Sequence, residues 1–327
     1  MFSKRINGKC QLIVSPTKLY LDTNHLINLS RIRRNEKLPN GQSCESYKFI
    51  DKLIKNHYGL IFNTSSPLEW VDGNATVASA TIIAGILDSA KLLYMSEMDT
   101  FIYTHEILKE IKRIKPELNI PEYNVLNVFN PNHTFKPAFS LLANHVPNYF
   151  ENIILPSEFP EEIPFATARD YALETFKWRQ KKEETFLQRV VHFRESLLED
   201  IDNADEYFKD PDRHHRNWVK SFLKIDLILN AYNSLQKGTV DFLTDKINFN
   251  NCPATKLYFQ VRDIRIKNRK PPDDNDVDDW MYISILPYAD ISIIERKMKN
   301  LILQADNSYI NRVFHDPDKA VEAIKNL

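Results

Sequence analysis

One short segment constrains the fold of this chain more than any other: residues 18–29 read KLYLDTNHLINL. Its first four residues are typical of a buried strand, and Asp22 follows directly, before an apolar helical pattern begins. Thr23 and Asn24 are residue types that cap helices. A strand that leads straight into a helix is the start of a βαβ unit, and open α/β sheets place functional side chains at the carboxyl ends of their strands. We therefore expect Asp22 to lie at a functional edge of a parallel sheet.

The composition is that of a globular protein. The chain has 327 residues, 43% of them hydrophobic, which is enough for one large core or two modest ones. No apolar run reaches the length of a membrane helix, so we expect no membrane contact. The formal net charge is −1, so any contact with nucleic acid must be made by a local basic surface. The three cysteines have neither zinc-site spacing nor a disulfide pattern, and a cytoplasmic location fits them best.

Two further features exclude classes of protein. The chain contains only 6 glycines and no GxGxxG or GxxxxGK[ST] motif, so a glycine-rich nucleotide cradle is not expected. The first ten residues, MFSKRINGKC, have basic residues but no apolar segment after them, so no secretory signal is expected.

The two ends of the chain alternate between strand and helix patterns. In the first third we predict strands at 18–21, 60–63 and 100–103, and helices at 24–34, 47–56, 76–93 and 104–114. In the last part we predict a strand or edge segment at 257–266, strands at 291–294 and 310–314, and helices at 278–286, 297–303 and 318–326. Such alternation is typical of an α/β fold with a parallel sheet and helices on both faces.

The middle of the chain has a different pattern. Prolines recur between residues 116 and 166, which favours an extended connection. Neither glycine nor proline occurs from 166 to 209, and apolar residues recur there at helical spacing. We predict a helical hairpin over about 166–235 that projects from the α/β core. The expected organisation is a core of residues 1–119 and 251–327, interrupted by a mainly helical insertion at 120–250.

Acidic residues follow several predicted strands. Glu69 comes just after the second strand, and Glu295 follows a later strand as Asp22 follows the first. Before Glu295 the chain reads DDNDVDD. This run is not an EF-hand loop, because Asp279 stands where that loop needs glycine. We expect Asp276 at or before a helix N-terminus and Asp279 in the first turn of that helix.

At three places the sequence resembles the PIN-domain nucleases, a superfamily of metal-dependent ribonucleases that includes many bacterial toxins. The matching segments are LYLDTNHLINL at 19–29, LIFNTSSPLEWVDG at 60–73 and NDVDDWMYISILPYADISIIERK at 275–297. The resemblance implies a parallel-sheet PIN-like sandwich with helices on both faces, interrupted by the helical insertion. It covers the two ends of the chain and none of the insertion.

The resemblance also implies a catalytic metal site formed by four acids, Asp22, Glu69, Asp279 and Glu295. An asparagine of the family motif matches Asn24, which we expect to contact substrate. The family usually has Thr-x-Asp or Thr-Asp where this chain has Ile294 and Glu295, so Asp290 and Asp276 are alternatives for the fourth ligand. Because all these ligands are oxygens, we expect Mg²⁺ or Mn²⁺ as the cofactor and in-line hydrolysis of RNA phosphodiester bonds as the reaction.

A basic stretch, residues 256–270, precedes the acidic run. We expect Arg262, Arg265 and Lys267 to bind substrate phosphates beside the metal site. The alternative is that these charges protect an edge strand from pairing with another chain.

Two functions remain open. The first is a metal-dependent endoribonuclease, of the toxin, defence or RNA-processing kind, with single-stranded DNA as the alternative substrate. The second is a non-catalytic or partner-activated PIN-like module, whose insertion mediates homo-oligomerisation or docking to a regulatory protein. A haloacid-dehalogenase-like phosphatase fits less well, because that chemistry needs an acid where Asn24 stands. His25 is expected to be structural, and Glu106 and Glu110 are candidates for acids behind the metal ligands.

Overall fold

The computed structural model describes residues 3–6, 9–12, 17–39, 44–56, 58–62, 86, 91–95, 99–120, 126–128, 194–223, 225–236, 238–271, 280 and 283–326. Within these ranges the strands are β1 (Ser3–Ile6), β2 (Lys9–Leu12), β3 (Lys18–Leu21), β4 (Gly59–Phe62), β5 (Lys91–Met95), β6 (Leu126–Val128), β7 (Ile291–Ile293) and β8 (Val313–Phe314). Strands β1 and β2 form an antiparallel hairpin, and the other strands form a second sheet.

The second sheet has six strands in the order β6-β5-β4-β3-β7-β8. Strands β5, β4, β3, β7 and β8 are parallel, and β6 is antiparallel to β5. Strand β3 pairs on one side with β4, where Leu19 is opposite Leu60, and on the other with β7, where Leu19 is opposite Ile291. The two ends of the chain therefore build one sheet, and the predicted α/β class is confirmed.

The helices are α1 (Thr23–Arg33), α2 (Cys44–Asn56), α3 (Asp99–Ile114), α4 (Ala204–Tyr207), α5 (Pro211–Ser221), α6 (Ile225–Asn233), α7 (Thr239–Asp245), α8 (Pro253–Lys267), α9 (Arg296–Ala305) and α10 (Pro317–Lys325). Residues 194–202 are also helical, and single 3₁₀ turns occur at Phe249–Asn251, Leu286–Tyr288 and Asn307–Asn311. None of the helices in the described ranges is long and apolar enough to cross a membrane.

Side chains of β3 alternate between two apolar layers, as the two-residue period of a strand requires. Leu19 and Leu21 pack with residues of α1, α2 and α10. Tyr20 belongs to a second cluster, which contains residues of α3, α8 and α9. Helices therefore cover both faces of the parallel sheet. Two edges remain, the amino-terminal edge where the strands begin and the carboxyl edge where they end.

The described part of the insertion packs against the core. Leu197 and Val219 are fully buried in the same cluster as Ile107 of α3. These helices therefore do not project as the predicted hairpin would, and the last part of that hairpin is divided into α5 and α6. The first part of that hairpin, residues 166–193, lies outside the described residues.

Four local predictions were wrong. The predicted strand at 100–103 is part of α3, the end of the predicted helix at 76–93 is β5, the predicted strand at 257–266 is part of α8, and the start of the predicted strand at 310–314 is a 3₁₀ turn. Short apolar runs fit the helical and strand periods equally well. Whether such a run forms a helix or a strand therefore depends on the residues it contacts in the folded protein. In α8, Pro253 occupies the first turn, and the buried residues Leu257, Val261 and Arg265 recur at four-residue steps.

Candidate functional site

The carboxyl ends of β3 and β7 lie side by side at one edge of the sheet. Asp22 directly follows β3, and Glu295 lies two residues beyond the end of β7. The backbone N–H of Asp22 donates to the carbonyl of Ile293 at 3.0 Å, so the pairing of the strands continues to their ends. Two of the acids predicted from the sequence are thereby brought together.

The carboxyl group of Asp22 is buried and hydrogen-bonded to two segments of the chain. Asp22 is the N-cap of α1, and its Oδ1 accepts from the backbone N–H of Asn24 at 2.7 Å. Its Oδ2 accepts from the backbone N–H of Glu295 at 3.0 Å. Only 7% of the residue is exposed. These two bonds, together with a backbone hydrogen bond from His25, fix the orientation of the carboxyl group.

The pKa of Asp22 is raised from 3.8 to about 6. Burial is the main cause, because it penalises the charged form, and the negative charge of Glu295 raises the pKa further. The hydrogen bonds from the backbone of Asn24 and Glu295 oppose this shift. A carboxyl group with such a pKa is stabilised in its charged form by any cation that comes near it.

The side chain of Glu295 differs from that of Asp22 in its exposure and in its hydrogen bonding. It is the N-cap residue of α9, but its side chain makes no capping hydrogen bond, and the residue is exposed. Its backbone N–H contacts Asp22 while its carboxylate is close enough to raise the pKa of Asp22. The edge thus combines one buried and one exposed carboxyl group.

The buried rings of His25 and Tyr47 lie next to this edge and help to hold it in place. The Nδ1 atom of His25 lies 2.7 Å from the hydroxyl of Tyr47, which also accepts a hydrogen bond from Asn28 Nδ2 at 3.1 Å. Burial lowers the pKa of His25 to about 4, and a hydrogen bond to the backbone of Ile294 opposes that shift. His25 is therefore neutral near pH 7, and it ties α2 to the residue that precedes Glu295.

A third strand contributes polar residues that sequence reasoning missed. Directly after β8 the chain reads HDPD at 315–318, and Asp316 caps α10 by accepting from the backbone N–H of Asp318. The hydroxyl of Ser46 donates to Asp318. Burial raises the pKa of Tyr47 to about 12, and the charges of Asp22, Asp316 and Asp318 add to the shift. The signal in the sequence was the same as for Asp22, namely acids after a short apolar strand.

The remaining predicted ligands do not join this group within the described residues. Asp290 precedes β7, and its Oδ2 accepts from the backbone N–H of Lys18 at 2.8 Å, so it lies at the amino-terminal edge of the sheet. This placement separates Asp290 from Asp22 by the length of β3. Glu69, Asp276 and Asp279 lie outside the described residues. Among the residues that are described, no group of three or more His, Cys, Asp or Glu side chains is arranged to hold a metal ion.

The three predicted phosphate-binding residues lie on α8, and two of them are buried. Arg262 is 5% exposed, and its Nε donates to Oδ2 of Asp200 at 3.0 Å. Arg265 is 2% exposed, whereas Lys267 is exposed at the end of the helix. Arg262 and Arg265 therefore cannot form the predicted basic ribbon, because buried guanidinium groups are out of reach of a polynucleotide. Asn24, in contrast, is exposed in the first turn of α1 beside Asp22.

The two acids of α3 fasten the start of α8. Glu106 Oε1 accepts from the backbone N–H of Ala254 at 2.8 Å and from the hydroxyl of Tyr288 at 2.6 Å. Its Oε2 accepts from both the backbone N–H and the hydroxyl of Thr255. Glu110 binds Arg113, whose side chain lowers its pKa. Glu106 therefore links α3 to α8, and Glu110 links α3 to the 3₁₀ turn before α8, because its Oε2 accepts from Asn251 Nδ2 at 2.9 Å.

No protein-family model matches the chain, and no curated protein and no solved structure is significantly similar to it. The sheet edge formed by Asp22, Glu295 and the residues that follow β8 is therefore the feature of the described structure that bears most directly on function. That edge belongs to an α/β protein with a mainly parallel, six-stranded sheet.

Proposed function

We propose that this protein is a Mg²⁺- or Mn²⁺-dependent endoribonuclease that hydrolyses RNA phosphodiester bonds at the carboxyl edge of β3 and β7. The observation that carries the proposal is the junction of Asp22 and Glu295. The carboxyl group of Asp22 contacts the backbone of Glu295, from the other end of the chain, where parallel sheets place their chemistry. The three sequence segments that resemble PIN-domain nucleases contain both of these acids.

The chemistry of the donor set fits a hard divalent cation. Both oxygens of Asp22 are oriented by backbone N–H groups. Burial makes the charged form of Asp22 unfavourable, and a cation beside it would reverse that penalty. Glu295 supplies a second carboxylate that its own helix does not use as a cap. Oxygen ligands of this kind suit Mg²⁺ and Mn²⁺.

In this proposal, Asp22 and Glu295 hold the metal together with Glu69 and Asp279. A divalent ion held by these residues would supply an activated water and would stabilise the charge that develops on the phosphate. The chain itself orients Asp22 through the backbone of Asn24 and Glu295, and His25 fixes the backbone at Ile294. Exposed Asn24 lies where it can contact substrate.

The burial of Asp22 supports a second candidate, a partner-activated module. With 7% of Asp22 exposed, access to its carboxyl group depends on the residues around it. A regulatory protein, or a second copy bound through the insertion, could alter that access. This alternative differs from the first in one measurable respect, because the isolated protein would bind RNA but not cleave it.

Cleavage assays with matched variants test the proposal. Wild type, Asp22→Asn, Glu295→Gln and Asp290→Asn are incubated with end-labelled RNA and single-stranded DNA, in Mn²⁺, in Mg²⁺ and in EDTA. We expect metal-dependent RNA cleavage by wild type and by Asp290→Asn, whose residue lies at the opposite edge of the sheet. Asp22→Asn and Glu295→Gln should lose activity by at least a hundredfold while remaining folded. Equal cleavage by wild type and Asp22→Asn would refute the proposed site, and RNA binding without cleavage by any protein would support the partner-activated alternative.

A further inference from the structure

A group of cationic side chains surrounds the ends of β7 and β8. The two strands are paired in parallel, with Ile293 opposite Phe314, and the backbone N–H of Ile294 donates to the carbonyl of Phe314 at 2.8 Å. Helices α9 and α10 both begin just beyond these pairs. The first turns of the two helices therefore flank the same edge, with His315 between them.

Each of these first turns contains basic residues. Arg296 and Lys299 lie three positions apart at the start of α9, so they share one face of the helix. Lys319 lies in the first turn of α10. Arg296 and Lys319 are exposed, and Lys299 is partly exposed. Burial is the main cause that lowers the pKa of His315, and the charges of Lys299, Arg296 and Lys319 lower it further, against the opposing charge of Asp316. The three cations therefore lie near this residue.

The position of Arg296 and Lys299 is unfavourable for the isolated chain. The first turn of a helix carries positive partial charge, so basic residues there destabilise it, and the first turn of α9 contains no acid. In α10, by contrast, Asp318 lies in the same first turn as Lys319. Within the part of the chain that the structure describes, no carboxylate forms an ion pair with Arg296, Lys299 or Lys319. A bound anion would offset both effects.

Glu295 connects this surface to the proposed site. It directly precedes Arg296, and its backbone N–H contacts the carboxyl group of Asp22. A polyanionic substrate is repelled by two adjacent carboxylates and must be held by cations close to them. The predicted ribbon on α8 cannot provide these cations, because Arg262 and Arg265 are buried. Arg296, Lys299 and Lys319 are in the right place to do so.

We propose that Arg296, Lys299 and Lys319 bind the phosphate groups of a single-stranded polynucleotide next to the bond that is cleaved at Asp22 and Glu295. This inference rests on the proposed function and names the surface by which that site holds its substrate. The binding is electrostatic, and its salt dependence should report the number of phosphates contacted.

Binding measured in EDTA, where cleavage is suppressed, tests the inference. The triple variant Arg296→Gln, Lys299→Gln and Lys319→Gln is compared with a control triple variant at exposed lysines of other elements, Lys37→Gln, Lys52→Gln and Lys109→Gln. Both triples remove three positive charges. Fluorescence anisotropy with labelled RNA, labelled single-stranded DNA and a labelled polyglutamate peptide is recorded at several salt concentrations, after circular dichroism has established that each variant is folded.

We expect the first triple to bind RNA at least tenfold more weakly than wild type. The slope of log affinity against log salt should fall by about 2, since each phosphate contact on a single strand contributes about 0.7. The control should stay within twofold of wild type. An equal loss in both triples, no loss in the first, or equally tight binding of polyglutamate would overturn the inference.

Measurements on the same variants distinguish a failure of this inference from a failure of the proposed function. If wild type cleaves RNA and the first triple binds and cleaves as well as wild type, the phosphate surface is wrong and the nuclease site stands. If the first triple loses RNA binding but wild type cleaves nothing in Mn²⁺, the phosphate surface stands and the nuclease proposal fails.

Discussion

The backbone N–H of Glu295 donates to Oδ2 of Asp22 across 273 positions of the sequence. The carboxyl group that begins α1 is therefore held by the residue that begins α9. This contact opposes the rise in the pKa of Asp22 but does not cancel it, because burial is the larger effect. The folded protein consequently binds the proton of Asp22 more tightly than the unfolded chain does, which has a measurable consequence.

Replacing Asp22 by Asn should change how stability depends on pH. The folded-state pKa of about 6 lies above the ordinary value of 3.8, so the contribution of Asp22 is fully present below pH 3.8 and is lost as the pH rises through 6. One pKa unit corresponds to about 1.4 kcal/mol, so wild type should lose up to about 3 kcal/mol relative to Asp22→Asn between pH 4 and pH 7. Urea unfolding of both proteins across this range measures the difference. Parallel curves would contradict the prediction, and added Mg²⁺ should reduce the loss if Asp22 binds the metal.

His25 should contribute with the opposite sign. Its folded-state pKa of about 4 lies below the ordinary value of 6.5, so its contribution is present above pH 6.5 and is lost as the pH falls through 4. We expect His25→Gln to flatten part of the acid-induced loss of stability. Tyr47→Phe serves as the control, because it removes the hydroxyl that contacts His25 but leaves the ring buried. Tyr47→Phe should lower the free energy of unfolding by about 1–3 kcal/mol at pH 7. It should leave the acid-induced loss of stability as steep as in wild type. If the two variants have the same pH profile, His25 does not titrate as proposed.

Glu106→Gln should destabilise the protein by about 3 kcal/mol, because a buried donor that loses its acceptor costs about 1–3 kcal/mol. The carboxylate of Glu106 accepts four hydrogen bonds, whereas the amide of Gln has a single acceptor oxygen and presents N–H donors to other donors. The urea midpoint should fall with little change in the slope of the transition. The exposed Glu322→Gln on α10 is the matched control and should leave the midpoint unchanged.

Asp200→Ala should lower the free energy of unfolding by about 3 kcal/mol. This value is at the lower end of the range for breaking a buried ion pair, because Asp200 is itself partly exposed. The change leaves the buried guanidinium of Arg262 without its carboxylate partner. Adding Arg262→Met should restore part of the loss, since the unpaired charge is then removed. Lys267→Gln, at an exposed position of the same helix, should be neutral. A double variant less stable than Asp200→Ala alone would show that Arg262 stabilises α8 through contacts other than this pair.

The edge formed by Asp22 and Glu295 was predictable because its signal is local. In each case a short apolar strand ends, a polar residue follows, and a helix begins within three residues. The strand before His315 carries the same signal, but β8 has only two residues, too few for a pattern of alternation to be recognised.

The error at Arg262 and Arg265 has a different cause. Charged side chains are usually exposed, and the prediction for these two arginines depended on that tendency. Arg262 is nevertheless buried, because its partner Asp200 comes from a helical segment 62 positions away. Likewise, Glu106 looked like a possible second layer to a metal site, and its real partners lie on α8 and at Tyr288. Contacts between distant segments decide such cases, and no short window of sequence contains them.

The central position of β3 in the sheet has a consequence for biosynthesis. β3 is translated well before its neighbour β7, which begins at Ile291, so this pair of strands cannot form until the long segment between them has been translated. Pairing between such distant segments is intrinsically slow. Until that moment Asp22 lacks the hydrogen bond from Glu295, and a nascent or truncated chain that ends before β7 cannot assemble the edge. If the edge is a nuclease site, the ribosome that makes this protein is exposed to its activity only after β7 has been translated.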